Sequence, residues 1–263
     1  MLPKHAGPAR GRRLLSSSLG LAIRLHRAGA VVWAILFMGL GAVVGALAAG
    51  ASDMLKDPDV AELLRMFGGE TADIADLYLA TELGVASVVA AAYGVATILR
   101  TRTEEVAGHT EMVLATASTR RRVLGAQGLI AFVGSAVLMA LVGVTIGLTS
   151  SDAAGPSVGE LLGAALARVP AMWVCVALTV LLVGWAPRHA GAVAWTLLVG
   201  FLTLGEFGAL LELPLWMRDL SPFAHAPTLP GGDVAPLAQL VLIAIAGAVA
   251  LVGAAGFRRR DIG

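Results

Sequence analysis

The sequence predicts an all-α polytopic membrane protein with six transmembrane helices and both termini in the cytoplasm. Three observations carry this reading. Of the 263 residues, 57% are hydrophobic and only 14% are charged, against about 25% charged in an ordinary soluble domain. The mean hydropathy is +0.82, more apolar surface than one aqueous core can hide, so the solvent must be lipid. The apolar residues also fall into runs near the ~20 needed to span a bilayer, and the basic residues fall between them unevenly.

Residues 1–27 form a basic N-terminal segment with Lys4, Arg10, Arg12, Arg13, Arg24 and Arg27 and no acid. The transmembrane domain is expected over 28–256, with spans near 28–50, 77–99, 123–148, 169–186, 190–211 and 236–256, and a basic tail at 257–263. Ala46-Leu47-Ala48 resembles a signal-peptidase site, but the run before it exceeds the ~7–15 residues of a signal core and further apolar runs follow. Gly39, Gly41 and Gly45 on the first span offer a small-residue face, either for a second chain or for a helix of the same chain.

The connections differ in character. Residues 52–76 are acidic and contain a short amphipathic pattern, Val60, Leu63, Leu64 and Phe67, ended by Gly68-Gly69. Residues 158–168 read as an interfacial helix leading to Pro170, a residue tolerated in a helix's first turn. Residues 212–235 hold six prolines and glycines and read as an ordered loop. With six crossings, fifteen of the nineteen lysines and arginines fall on one side. Lys56, Arg65, Arg168 and Arg218 fall on the other. The positive-inside rule assigns the first side to the cytoplasm.

The chemistry-bearing residues exclude more than they include. A phosphate-cradling loop needs Gly-Lys before Ser or Thr, and the only lysines, Lys4 and Lys56, do not follow a glycine. No catalytic, metal-binding or cofactor-binding set is expected. Glu104-Glu105 resembles the paired glutamates of CAAX-type intramembrane proteases, but His109 stands where those need an arginine. All five histidines, His5, His26, His109, His189 and His225, lie at or beyond span ends. Cys175 has no second cysteine to pair with. Glu82 and Glu206 lie in the outer parts of spans two and five. They read either as carboxylates reaching outer water or as a polar lining for an outward-opening substrate path. Arg168 is expected at the interface, and nothing charged at mid-membrane. Trp33, Trp173, Trp185, Trp195 and Trp216 read as interface anchors.

The longest charged interval, residues 100–122, is expected in the cytoplasm between spans two and three. A helix is expected over about 102–118. Val106, Thr110, Val113, Leu114 and Ala117 share one face, with Glu104, Glu105, His109 and Glu111 largely off it. Such an element is either a solvated surface helix or a docking helix for a cytoplasmic partner.

The run 100–116 followed by Arg120, with its Glu-Glu-x-x-Gly-x-x-Glu core, resembles the cytoplasmic motif of ABC-2 type exporter permeases. Within that family it is similar to the actinobacterial exporters of polyketide antibiotics. Pro170-Ala171-Met172-Trp173, Gly184-Trp185-Ala186-Pro187-Arg188, residues 220–227 and the closing Phe257-Arg258-Arg259-Arg260 agree with it. Ala117-Ser118-Thr119-Arg120 lacks the proline that the family often places before that arginine. Members of the group commonly join two six-span halves, and this chain resembles the second.

The resemblance implies a type V exporter-like transmembrane domain in a bacterial cell membrane, with no ATPase site of its own. Glu104, Glu105, Gly108, Glu111, Leu114 and Arg120 would form the coupling site for a separate ABC ATPase subunit carrying ATP and magnesium. The other implied partners are membrane lipid, a hydrophobic or amphipathic small molecule, and a second six-span half, either a copy of this chain or a different one. Nucleic acid is not among them. The alternatives are an ATP-independent carrier or scaffold and, less favoured, a membrane enzyme.

Overall fold

The computed structural model describes residues 18–55, 71–106, 120–150, 155–208 and 210–259. All regular structure in them is helical: α1 (Ser18–Leu55), α2 (Thr71–Val106), α3 (Arg120–Thr149), α4 (Val158–Ala167), α5 (Val169–Trp185), α6 (Ala190–Gly205), α7 (Leu215–Arg218) and α8 (Pro236–Arg259), with a 3₁₀ turn at Pro222–His225 between the last two. Five stretches among the described residues are long and apolar enough to cross a membrane: Ala22–Gly50, Ala75–Arg100, Gly125–Thr149, Val158–Trp185 and Pro236–Phe257. The amphipathic pattern expected over 60–67 lies outside the described residues.

Backbone approaches at glycines set the directions of the helices. Gly41 and Gly45 of α1 lie against Val142, Thr145, Ile146 and Thr149 of α3 in the same chain order, so the two helices run parallel. Gly147 meets Val158 and Gly143 meets Leu161 and Ala165, so α4 runs antiparallel to α3. Gly94 of α2 abuts Val176 of α5, and Gly253 of α8 abuts Leu181 of α5. The start of α1, the end of α2, the starts of α3 and α6, and the ends of α5 and α8 therefore lie at one end of the bundle, called here the arginine end. Arg24, Arg27, Arg100, Arg102, Arg120, Arg121, Arg122, Arg188, Arg258 and Arg259 occupy helix positions or the turn at that end.

Burial separates core from flank. In the central windows of α2 and of the α4–α5 stretch 67% of residues are buried, against 22% in α1 and 28% in α8. Leu79, Leu83, Met139, Ile146, Leu161 and Met172 fill the interior. Val31, Val32, Ile35 and Leu36 of α1 and Leu240, Val241, Ile243 and Ile245 of α8 face outward, as lipid-facing residues do. Lipid tails are as apolar as these side chains, so small residues and close backbone approach carry helix association. Buried hydroxyls bond carbonyls of their own helix: Thr97 Oγ1 donates to Tyr93 O at 2.8 Å and Thr179 Oγ1 to Cys175 O at 2.9 Å. This satisfies donors that water cannot reach.

The structure refines the sequence reading at several points. The segment over 158–168, expected as an interfacial helix, packs into the bundle. Ser157 caps it with a capping box to Glu160, its Leu161, Ala164 and Ala165 are buried, and it forms the outer part of one stretch, Val158–Trp185, that the 169–186 span only completes. The helix expected over 190–211 stops at Gly205. Sixteen residues rise about 24 Å, short of the ~30 Å hydrocarbon core. In the loop that follows, Ser221, Pro222 and Phe223 are buried.

Two tryptophans pack between helices instead of marking an interface. Trp173 Nε1 donates to Phe132 O at 3.0 Å and its ring meets Phe132 edge-on. The Trp33 ring lies edge-on to Tyr93 and tilted to Phe37. Gly41 and Gly45 serve a contact inside this chain, while Gly39 has nothing near it. Finally, α2 continues unbroken to Val106. Residues 102–106 of the expected coupling helix are therefore its last turns, and 107–119 lie outside the described residues.

Candidate functional site

Two regions hold the residues singled out from the sequence, one at each end of the bundle. At the arginine end, α2 and α3 are packed neighbours. Glu104 and Glu105 stand in the last turn of α2, and Arg120 is the first residue of α3. The antiparallel pair thus brings both sides of the charged interval together. Gly108, Glu111 and Leu114 lie outside the described residues. The next turn at this end, Pro187-Arg188-His189, joins α5 to α6, and Trp185 Nε1 ties it to α8 by donating to Val252 O at 3.0 Å.

Toward the other end lies a polar cluster. Arg168, between α4 and α5, is only 4% exposed, and Glu206, which caps α6, is 16% exposed. Arg168 Nη1 meets Glu206 Oε1 at 3.5 Å, and Arg168 Nη2 donates to Ala80 O of α2 at 2.8 Å. Arg168 Nε has no hydrogen-bond acceptor among the described residues. Gly84 lies one turn below Ala80 on the same face of α2, and a Cβ there would meet the Glu206 carboxylate at 2.6 Å. Glycine is what admits the carboxylate to this contact.

Depth follows from helix rise. Arg168 is seventeen residues from Trp185, about 25 Å from the arginine end, and α6 lifts Glu206 by about the same distance. Both side chains therefore lie toward the end of the bundle opposite the arginines. The pair is held by the contact between the two side chains and by the backbone carbonyl of Ala80.

Glu82 does not join it. Successive helical residues turn by about 100°, so Glu82 points away from the face that carries Ala80 and Gly84. It is half-buried. The two candidate path carboxylates are thus apart, and Glu206 already has a cationic partner.

The loop after α6 packs back on that helix and on α8. Ser221 Oγ donates to Phe201 O at 2.7 Å and accepts from Phe223 N at 3.3 Å. Gly205 admits that hydroxyl, since a Cβ there would come within 2.6 Å of it. His225 Nε2 bonds Asp219 O at 2.9 Å, and Gln239 of α8 donates to His225 O at 3.2 Å. Among the described residues no three of His, Cys, Asp and Glu group in a way that could hold a metal ion.

The sequence reading named Arg168 but not its pairing with Glu206, and did not single out Ser221. The available signals were a lone arginine before Pro170 in an apolar run, and glycines at 84 and 205. None of these names its partner.

The comparison with known families matches residues 15–258 to the C-terminal domain of the multidrug efflux system permease Rv1217c. The chain belongs to that permease-domain family. A curated relative, the multidrug efflux system permease protein Rv1217c of Mycobacterium tuberculosis, is 36% identical over 266 aligned positions. The alignment covers 100% of this chain and 48% of the relative, so the chain spans about half the length of the protein it matches. The expected likeness to an ABC-2 type exporter permease and to the second half of a two-half chain agrees with this match. With its apolar helices, family membership makes this a multi-pass protein of the bacterial cell membrane.

Proposed function

We propose that this chain is the membrane-spanning permease half of an ATP-driven exporter that moves a hydrophobic or amphipathic small molecule out of the cell. The observation that carries the reading is the junction of α2 and α3. It brings Glu104, Glu105 and Arg120 to one end of the bundle, around a stretch whose residues resemble an ABC-2 coupling motif. A separate ATPase subunit holds ATP and magnesium and docks there, with Val106, Val113 and Leu114 supplying apolar burial and Glu104, Glu105 and Glu111 meeting basic groups. Closure of the ATPase pair then pushes the junction and tilts α2 and α3 together.

The chain crosses the bilayer six times in this reading. The crossing by α6 is short and is completed by the folded loop over 206–235. Both termini and the arginine end face the cytoplasm, as the excess of arginine there supports. A second six-helix half completes the pathway, in line with a relative about twice as long. The gradient-driven alternative draws less support, since Glu206 faces Arg168 at 3.5 Å and does not stand alone.

The test is a pull-down of the detergent-solubilised protein with its cellular ATPases, beside a Glu105→Arg/Glu111→Arg variant. Wild type is expected to retain an ATPase that the variant loses. Absence of any ATPase from both preparations overturns the coupling reading.

A further inference from the structure

An apolar groove of about 660 Å³ opens on the flank of the bundle between α3, α5 and α8. Gly125, Gly128 and Phe132 form part of one wall, and Gly247, Ala254 and Phe257 part of the other. We propose that it holds an acyl chain of an anionic phospholipid whose headgroup sits against the arginine turns of α3 and α8. The inference requires that the chain lies in a bilayer, and does not depend on coupling to an ATPase.

The size and lining set the tail. The volume lies within the ~300–1,000 Å³ of small-ligand cavities, and the lining consists of Gly, Ala, Val, Leu and Phe alone. No side chain there offers a hydrogen bond, so the occupant is hydrocarbon along its length. The space is also kept open by the sequence. A Cβ at Gly125, Gly128 or Gly247 would meet nothing within 4 Å. These glycines are not explained by close helix approach, unlike Gly41, Gly45 or Gly253.

Charge sets the head. Arg120, Arg121 and Arg122 form the first turn of α3, and Arg122 precedes Gly125 by three residues, about one helical turn. Arg258 and Arg259 end α8 directly after Phe257. Arginines therefore bracket the same end of the groove from two helices. The acids at that end of the described helices, Glu104 and Glu105, belong to α2, which lines no part of the groove. Bilayer tails are as apolar as the groove wall, so the tail gains little by leaving bulk lipid. Selectivity must then come from the phosphate headgroup meeting arginine. This predicts a preference by headgroup charge, with chain shape deciding only whether the site fills.

The test is native mass spectrometry of the full chain released from micelles doped with phosphatidylglycerol or phosphatidylcholine of identical acyl chains. Wild type is expected to retain phosphatidylglycerol about fivefold or more over phosphatidylcholine, the effect of about one arginine contact. Gly128→Leu/Gly247→Leu fills the groove and is expected to lose retention of both lipids. Gly200→Leu on α6, where a Cβ also meets nothing, is the control and keeps it. Arg122→Gln/Arg258→Gln is expected to keep retention but lose the headgroup preference. Equal retention of both lipids by wild type overturns the proposal, as does undiminished retention in the groove-filled variant. If filling the groove instead abolishes self-association and leaves lipid retention unchanged, the groove belongs to a second protein half and the lipid site is excluded.

Discussion

The Arg168 guanidinium and the Glu206 carboxylate, 38 residues apart in sequence, meet at 3.5 Å and join the α4–α5 stretch to the end of α6. Through Ala80 O the same arginine also holds α2. One buried side chain thus links α2, the α4–α5 stretch and the end of α6.

Removing one member of that pair strands the other. Arg168→Met or Glu206→Met is expected to destabilise by about 3–5 kcal/mol, the usual cost of an uncompensated buried charge. The double variant is expected to recover much of that loss, because two apolar side chains leave no charge to solvate. Thermal unfolding of all four proteins in one detergent gives the cycle. Additive losses would show that the pair is not coupled.

Glycine substitutions divide by local space. At Gly253 a Cβ would lie 2.6 Å from Leu181 N, so Gly253→Leu forces α5 and α8 apart. It is expected to cost about 1–3 kcal/mol or more, as overpacking does. Gly191→Leu, with nothing near, is expected to stay near wild type. Detergent melting curves compare them, and equal shifts would contradict the α5–α8 contact.

Ser221→Ala deletes the donor to Phe201 O and the acceptor for Phe223 N. Buried groups left unpaired cost about 1–3 kcal/mol, so the loop is expected to loosen before the bundle does. Hydrogen exchange should rise at Phe223 and Ala226 with little change in α2 or α3. Uniform exchange across the bundle would argue against a local role.

Orientation is read by thiol labelling in a Cys175→Ala background. Asp233→Cys is expected to react with an impermeant maleimide on intact cells. Arg188→Cys is expected to react only after permeabilisation. The reverse pattern would place the arginine end outside.

The sequence by itself determined the class of the molecule, the approximate position of its apolar helices and the sorting of arginine to one side. These are legible because the bilayer reads local properties. A run of about twenty apolar residues spans wherever it occurs, and each arginine is sorted by its own cost of crossing. The motif around Glu104, Glu105 and Arg120 was legible for the same reason, as one continuous stretch.

The tertiary structure alone decided the contacts between distant residues. Gly41 and Gly45 look alike as a dimer face or an inner seam until α3 lies against them. The 158–168 segment has no visible packing partner until Gly143 and Gly147 receive it. Helix α6 reads as 22 residues until Glu206 turns to Arg168 and Ser221 closes the loop beneath it. In each case hydropathy is the same in both readings, and the outcome rests on which backbones approach closely enough to pack and which buried charges find a partner.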